Sequence, residues 1–326
     1  MLPETMSVVE ISEPGGPDVL ALGTRPVPQP APGEVVIKVA AAGVNGPDIM
    51  QRKGLYPPPK GASDLLGLEV SGHVAALGEA VTGWADHDPI CALTNGGGYA
   101  EYVAVDASHC LPVPGGVDLV DAAGLCETFF TCWSNLFLDH TPKEGQVLLV
   151  HGGAGGIGST AIQLGRQMGM RVLTTCSSED ADYVRGLGAE RAIDYKSEDF
   201  VAATREAGAA SLILDIIGGD YIARNIKAAA PDARIIQLAF RAGSKVEIDL
   251  MAIMLKRLVI TGSTLRSRPD AFKSRTAADL RERVWPWLAS GSVQTHTHKV
   301  FAFAEAGAGH AMMEAGDHRG KILIQP

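Results

Sequence analysis

The stretch from Val147 to Gly158 constrains the fold of this 326-residue chain more than any other. The apolar run Val147-Leu148-Leu149-Val150 leads into His151-Gly152-Gly153-Ala154-Gly155-Gly156-Ile157-Gly158, which sets G-x-G-x-x-G at Gly153, Gly155 and Gly158 between a strand and a helix. Glycines at those spacings permit a tight turn and a close approach of the backbone to a pyrophosphate. The helix start supplies free N–H groups and the positive end of its dipole. Gly153, Ala154, Gly155, Gly156, Ile157 and Gly158 are therefore the expected dinucleotide cradle. A triphosphate loop needs Lys-Ser/Thr after its last glycine, and Ser159-Thr160 stands there instead. G-x-S-x-G is absent from the sequence, so the His-Gly-Gly string does not argue for a serine hydrolase.

From about residue 146 onward, short β-branched runs alternate with helical patterns. Strands are expected at 146–150, 171–176, 191–195, 211–217, 234–240 and 258–264, with helices at 157–168 and 180–187. That alternation implies right-handed crossovers and a doubly wound parallel sheet. The first third reads differently, as strands at 35–44, 66–77 and 99–105 with Pro/Gly clusters at 26–33 and 57–61. After residue 268 come a helix near 276–289, a strand at 293–303, a helix near 304–314 and a closing strand at 321–324. The expected class is thus α/β, a Rossmann sheet inserted into a β-rich domain. Its parts are residues 1–127 and 267–326 for the β-rich domain and 128–266 for the dinucleotide-binding domain.

With 46% apolar residues there is material for a sizeable core. The 28 basic residues are outnumbered by 37 acidic ones and form no Lys/Arg-rich run, which argues against nucleic acid as the main partner. Apolar runs fall short of the roughly 20 residues of a bilayer span. Glu4 and Glu10 are unlike a signal peptide, so a cytoplasmic protein is expected. Five cysteines, an odd number without a C-x-x-C, read as small core residues.

Cofactor choice is read at the end of the second strand of such a sheet, where NAD enzymes place an acid on the ribose. Here the segment is Thr174-Thr175-Cys176-Ser177-Ser178, with Glu179 and Asp180 next. Ser177 and Ser178 are candidates to donate to a 2′-phosphate or, equally, to cap the following helix. The reading favours NADPH and leaves NADH possible.

Several blocks in order resemble the zinc-independent quinone oxidoreductases, the zeta-crystallin-like branch of the medium-chain dehydrogenase/reductase superfamily, and within it the tumour-suppressor-induced group. They are Gly43-Val44-Asn45-Gly46-Pro47-Asp48, Gln51-Arg52-Lys53-Gly54-Leu55-Tyr56-Pro57, Gly67-Leu68-Glu69-Val70-Ser71-Gly72 and Gly96-Gly97-Gly98-Tyr99-Ala100-Glu101-Tyr102. The glycine loop, Leu214-Asp215-Ile216-Ile217-Gly218-Gly219 and Leu265-Arg266-Ser267-Arg268 complete the set. The resemblance implies a GroES-like catalytic domain around the Rossmann unit. Zinc-dependent relatives hold their catalytic metal with a Cys and a His where this chain has Asn45 and Leu68. Neither supplies a thiolate or imidazole, so no zinc is expected.

Without a Lewis acid, an electron-poor acceptor such as a quinone or conjugated carbonyl suits hydride transfer best. The resemblance implies an interdomain cleft in which Asn45 and Tyr56 are catalytic, with Asn45 also contacting the cofactor. It further implies Thr131, approaching from the start of a linking helix, and Tyr195 at the adenine-ribose end. Ile217, Leu238, Ala239, Phe240, Ser263, Thr264 and Leu265 are expected to line the cofactor from later strand ends. Relatives often carry a lysine in the helix after Ser177, where this chain has Glu179 and Asp180. For quinones no protein acid is expected to be essential. The alternatives are an enone or enoyl-thioester reductase and an NADPH-binding protein with little catalysis. A homodimer through the edge strand at 258–264 is the family expectation.

Overall fold

The computed structural model describes residues 2–326, and the chain divides into two compact units, one of residues up to Phe130 together with Arg266–Pro326, the other Thr131–Leu265. The chain begins with β1 (Thr5–Ile11), β2 (Leu20–Pro26), β3 (Glu34–Gly43), α1 (Gly46–Arg52), β4 (Glu69–Leu77), β5 (Pro89–Leu93), β6 (Tyr102–Asp106) and β7 (Cys110–Pro112). Helix α2 (Cys126–Leu136) follows and carries the chain from the first unit into the second. The second unit contains β8 (Val147–His151), α3 (Gly156–Gln167), β9 (Arg171–Cys176), α4 (Ala181–Gly186), β10 (Arg191–Asp194), α5 (Phe200–Glu206) and β11 (Ala210–Asp215). It ends with α6 (Tyr221–Ala228), β12 (Ala229–Gln237), α7 (Leu250–Lys256) and β13 (Val259–Gly262). Back in the first unit come α8 (Asp270–Arg283), α9 (Trp285–Ala289), β14 (Thr297–Ala302), α10 (Ala306–Ala315) and β15 (Lys321–Gln325).

The first unit is built on a mixed sheet ordered β14-β15-β3-β4-β5-β7, with β6 also paired to β3, and a separate β1-β2 hairpin. β3 is its spine. Alternating Val35, Ile37 and Val39 pack with Val70, Val74 and Ile90 into one core. The antiparallel pairing of β15 with β3 sets Leu323 opposite Gly43 and Ile324 opposite Ala42. This register brings the C-terminal strand beside the turn that precedes α1.

In the second unit all six strands are parallel, in the order β10-β9-β8-β11-β12-β13. Every residue of the central β8 is buried, as a strand covered by helices on both faces requires. At the far edge, β13 exposes Val259 and Ile260. Lys256 caps the end of α6 by donating from Nζ to the carbonyls of Ile226, Lys227 and Ala229.

The structure differs from the sequence expectations mostly at element ends. The single helix expected near 276–289 is two, α8 beginning at Asp270 and α9 at Trp285, the second carrying Pro286 in its first turn, where a proline's missing N–H costs least. The strand expected at 234–240 ends at Gln237, and that at 258–264 at Gly262. All five cysteines are free and buried. Among the described residues no helix is long and apolar enough to cross a membrane.

Candidate functional site

The carboxyl edge of the parallel sheet gathers most of the sequence-predicted cofactor residues. The glycine loop leaves β8, Ser177 and Ser178 follow β9, and Tyr195 follows β10. Ile217 follows β11, Leu238, Ala239 and Phe240 follow β12, and Ser263, Thr264 and Leu265 follow β13. This is the edge at which open α/β sheets bind ligands. The loop needs its glycines sterically. A Cβ at Gly158 would run into the Gly152 carbonyl oxygen, and one at Gly153 into the Thr174 hydroxyl. Helix α3 starts from Gly155 without a side-chain cap, so its first amides are left for a ligand. Small residues and unclaimed amides of this kind fit a pyrophosphate.

A buried hydrogen-bond chain fixes the loop from below. The amides of Gly152 and Gly153 donate to the Thr175 carbonyl at 3.1 and 3.0 Å. His151 bonds Thr175 Oγ1 at 3.0 Å through Nδ1 and Asn225 Oδ1 at 2.7 Å through Nε2. Asn225 Nδ2 donates to Asp215 Oδ2 at 2.7 Å, so its oxygen is the atom that faces the imidazole. That assigns the His151 proton to Nε2, leaving Nδ1 to accept from the threonine. Burial lowers the His151 pKa and keeps the ring neutral. The other Asp215 oxygen accepts the amides of Ile217 and Gly218, which connects the loop after β11 to the same network.

At the end of β9 the Ser177 hydroxyl donates to Asp180 Oδ2 at 2.8 Å and makes no side-chain cap to the backbone. Burial, then Asp180 and Asp194, push the neighbouring Cys176 thiol up to about 11, a sign of the negative potential there. Tyr195 and Phe240 are largely exposed. Thr131 is buried in the middle of α2, the helix having begun at Cys126, so it does not stand at a helix start. One residue on, Cys132 Sγ contacts the Ile157 carbonyl at 3.4 Å, which ties this part of α2 to the glycine loop.

The first unit holds a separate cluster of polar groups around Asn45. This residue precedes α1 and is buried. Its Nδ2 donates to Glu69 Oε1 at 2.9 Å and to the Gly43 carbonyl at 3.3 Å, while its Oδ1 accepts from Lys321 Nζ at 2.6 Å. Lys321 also pairs with Glu69 Oε1 at 2.6 Å, and Glu69 Oε2 accepts the Glu127 amide at 2.8 Å. An ammonium is therefore bonded to the residue that stands where zinc-dependent relatives keep a thiolate. Leu68, at the imidazole position, is buried. No group of three or more His, Cys, Asp or Glu among the described residues is disposed to hold a metal ion.

Around this knot, Asp48 accepts the Asn45 and Gly67 amides, one on each oxygen, at 2.9 Å. Burial raises its pKa to about 6 against the pull of those bonds. Arg266 donates to Gln51 Oε1 at 2.6 Å and to the Asn95 carbonyl at 2.7 Å. Lys273 Nζ bonds Asn95 Oδ1 at 2.7 Å and the Arg266 carbonyl at 3.0 Å. The half-buried Tyr56 ring lies 5.8 Å from the Arg266 guanidinium carbon. Of these groups only Asn45 and Tyr56 stand out in the sequence. Glu69 and Arg266 lie inside family-like blocks but carry no local chemical signal, and Glu127 and Lys321 carry none at all.

Residues 31–115 match the family model of the alcohol dehydrogenase GroES-like domain, and residues 187–324 that of the zinc-binding dehydrogenases. The quinone oxidoreductase of Lama guanicoe is 31% identical over 283 residues, covering 84% of this chain and 84% of that protein. That of Pseudomonas aeruginosa is 28% identical over 324 residues, 98% of this chain and 99% of the relative. The 2-haloacrylate reductase of a Burkholderia species is 28% identical over 329 residues, 97% and 98% respectively. The chain also matches a phenolphthiocerol/phthiocerol polyketide synthase of Mycobacterium tuberculosis, 25% identical over 97% of this chain, but spans only 14% of that protein's length. Among solved structures, a mycobacterial protein complexed with NADPH superposes with a TM-score of 0.86 at 28% identity, covering 98% of this chain and 100% of the other. On the 31% identity over 84% of each chain and the residues at positions 45 and 68, the chain belongs to the zinc-independent quinone oxidoreductases of the medium-chain dehydrogenase/reductase superfamily.

Proposed function

We propose that the protein reduces a quinone or related conjugated carbonyl with NADPH. The observation that carries this reading is the Asn45–Lys321–Glu69 knot, in which a fixed ammonium bonds the residue at the metal-ligand position. A site without a Lewis acid suits acceptors that are already electron-poor. Bound NADPH supplies the hydride. The amides at the start of α3 and the glycines Gly153, Gly155 and Gly158 are proposed to hold its pyrophosphate, with Ala154, Gly156 and Ile157 completing the turn. Ser177 and Ser178 are proposed to meet the 2′-phosphate and Tyr195 the adenine-ribose end. Thr131, Ile217, Leu238, Ala239, Phe240, Ser263, Thr264 and Leu265 are proposed to line the rest of the cofactor. Asn45 and Tyr56 are proposed to orient the acceptor, Tyr56 by stacking on a planar ring beside Arg266 or by donating its hydroxyl.

The test is cofactor oxidation followed at the nicotinamide absorbance, with NADPH and NADH in parallel and an ortho-quinone and a simple enone as acceptors. Rapid loss with the quinone supports the proposal. Turnover of the enone alone moves the protein to the alkene reductases, a reading that the likeness to a haloacrylate reductase keeps in view. Binding of NADPH without turnover of either acceptor refutes catalysis of this kind.

We also propose a homodimer. The edge strand β13 exposes Val259 and Ile260, and α7 exposes Leu250, Met251, Met254 and Leu255. An apolar edge of that kind is covered when a second copy continues the sheet about a two-fold axis. Light scattering checks it, with Ile260→Lys expected to give monomer.

A further inference from the structure

The polar cluster of the first unit contains three carboxyl groups, and two of them are fully engaged. Asp48 accepts one backbone amide on each oxygen. Glu69 is claimed by Asn45 and Lys321 on one oxygen and by the Glu127 amide on the other. The third, Glu127, is different. It lies in the first turn of α2 with its amide held by Glu69 Oε2 at 2.8 Å, it is largely enclosed with some surface still accessible, and its carboxyl has no hydrogen-bond or ion-pair partner among the described residues. The cations near it are already taken, Lys321 by Glu69 and Asn45, Arg266 by Gln51 and Asn95. Through Glu69, Glu127 adjoins Asn45, whose Nδ2 donates to Glu69 Oε1 at 2.9 Å while the Glu127 amide donates to Glu69 Oε2 at 2.8 Å.

We infer that Glu127 is the proton donor of the reduction, handing its carboxyl proton to the oxygen on which negative charge develops as the acceptor takes up hydride. The inference rests on the proposed reaction and adds to it the group that completes it. When hydride bonds to the acceptor, a quinone becomes a hydroquinone monoanion and a conjugated carbonyl becomes an enolate. The Glu127 O–H bond breaks as an O–H bond forms at that anionic oxygen, and the resulting carboxylate recovers a proton from water. One hydride and one proton enter the product, so charge and atoms balance with NADPH as the only reductant.

A donor has to hold its proton at neutral pH, and the surroundings of Glu127 arrange that. Burial is the largest effect, followed by the Glu69 carboxylate on β4, and together they raise its pKa to about 8. Asp48 on α1 pushes in the same direction, while Lys321 on β15 and Arg266 pull it down. Tyr56, in the loop after α1, and Lys273 on α8 complete the titratable groups that face it. General acids work best with a pKa near the working pH, which is where this one lies.

Glu127→Gln keeps the shape of the side chain and removes the acidic proton. With NADPH and the enone, wild-type kcat is expected to be level below pH 8 and to fall above it. The variant is expected to run roughly 100-fold slower and flat across the same range, with NADPH binding by fluorescence unchanged. The loss with the quinone is smaller, because a hydroquinone anion is readily protonated by water. Glu127→Asp retains an ionisable group and is expected to keep the alkaline fall at an intermediate rate. Infrared titration of the protein without cofactor gives a readout independent of turnover. A protonated carboxylic C=O band is expected to disappear as pH rises through about 8 in the wild type and to be missing from Glu127→Gln. A glutamine variant with kcat within threefold of wild type and the same alkaline fall overturns the inference, as does absence of the band at pH 7. If the wild type oxidises NADPH with neither acceptor, the reading of the reaction fails and this inference falls with it. If only the variants behave like wild type, the reaction stands and the assignment of Glu127 alone is lost.

Discussion

Replacing Lys321 by Met tests whether the knot under the site is a desolvated ion pair. The Lys321 and Glu69 side chains are 8% and 0% exposed, so neither charge is hydrated. At their 2.6 Å separation and an effective dielectric constant of about 20, the attraction is about 6 kcal/mol. Methionine keeps the stem length and removes the ammonium, so part of that attraction is offset by no longer burying the cation. Glu69 is left with its charge, the Asn45 amide at 2.9 Å and the Glu127 amide at 2.8 Å. Stranding one member of a buried pair costs roughly 3–5 kcal/mol, a large share of the 5–15 kcal/mol that holds a typical domain together. Lys321→Met is therefore expected to lose about that much in urea-induced unfolding followed by circular dichroism. Lys321→Met with Glu69→Gln buries no ion and is expected to recover at least half of the loss, read as a double-mutant cycle. The single substitution should also raise the Glu127 pKa further, since Lys321 is the main cation lowering it. A loss below about 1 kcal/mol, or a double variant no more stable than the single one, would refute a desolvated charge pair.

Three further outcomes are expected. Gly158→Ala drives a methyl into the Gly152 carbonyl, so NADPH binding measured by fluorescence should fall at least tenfold, with the far-ultraviolet circular dichroism retained. Asp180→Asn removes a carboxylate from the group bonded to Ser177, and removing about 1 kcal/mol of repulsion should tighten NADPH by roughly fivefold while leaving NADH unchanged. An equal change for both cofactors would show that Ser177 is remote from the 2′-phosphate. His310, bonded to Tyr99 and beside Arg52, is pushed down to about 3, first by burial and then by the guanidinium. Its unfolded value near 6.5 means that the unfolded chain binds the extra proton first, so this group's contribution to stability is present above pH 6.5 and is lost as pH falls toward 3. His310→Gln should flatten that part of the Tm–pH curve relative to wild type. Asp48, raised to about 6, acts with the opposite sign in both proteins and cancels in the difference.

The second unit is legible in the sequence because its signals are carried by the backbone. A central strand buried on both faces needs an unbroken apolar run, which Val147–Val150 shows, and a loop crowded against its own carbonyl needs Gly158. The order of strands then follows from the alternation, though several end two or three residues before the expected positions, and the residues after those ends share one edge because parallel strands all point the same way. What escapes is local detail. Ser177 reads as a cap or a phosphate contact, and its hydroxyl goes to Asp180, three residues on, a choice between neighbours that the sequence does not rank.

The first unit's cluster is not legible, because it is assembled from residues that are ordinary where they stand in the chain. Lys321 opens a strand and is followed by Ile322, Leu323 and Ile324, so it reads as a lysine at a strand end. Only the pairing of β15 with β3, Leu323 against Gly43, carries its ammonium to Asn45 across 276 residues. Glu127 reads as a carboxylate suited to the first turn of a helix, where the dipole favours its charge. Burial and Glu69 outweigh that preference and hold the proton on. Resemblance to zinc-dependent relatives identifies what is missing at positions 45 and 68, since Asn and Leu cannot replace a thiolate and an imidazole. It cannot say what balances Glu69, the buried carboxylate next to position 68. A buried carboxylate in that place needs a new positive partner, and the lysine on the last strand meets the need without offering an open coordination position. In the proposed reaction, polarising the acceptor then falls to hydrogen-bond and proton donors. Among the groups gathered there, Tyr56 and Glu127 are the ones whose protons are not already committed to a neighbour.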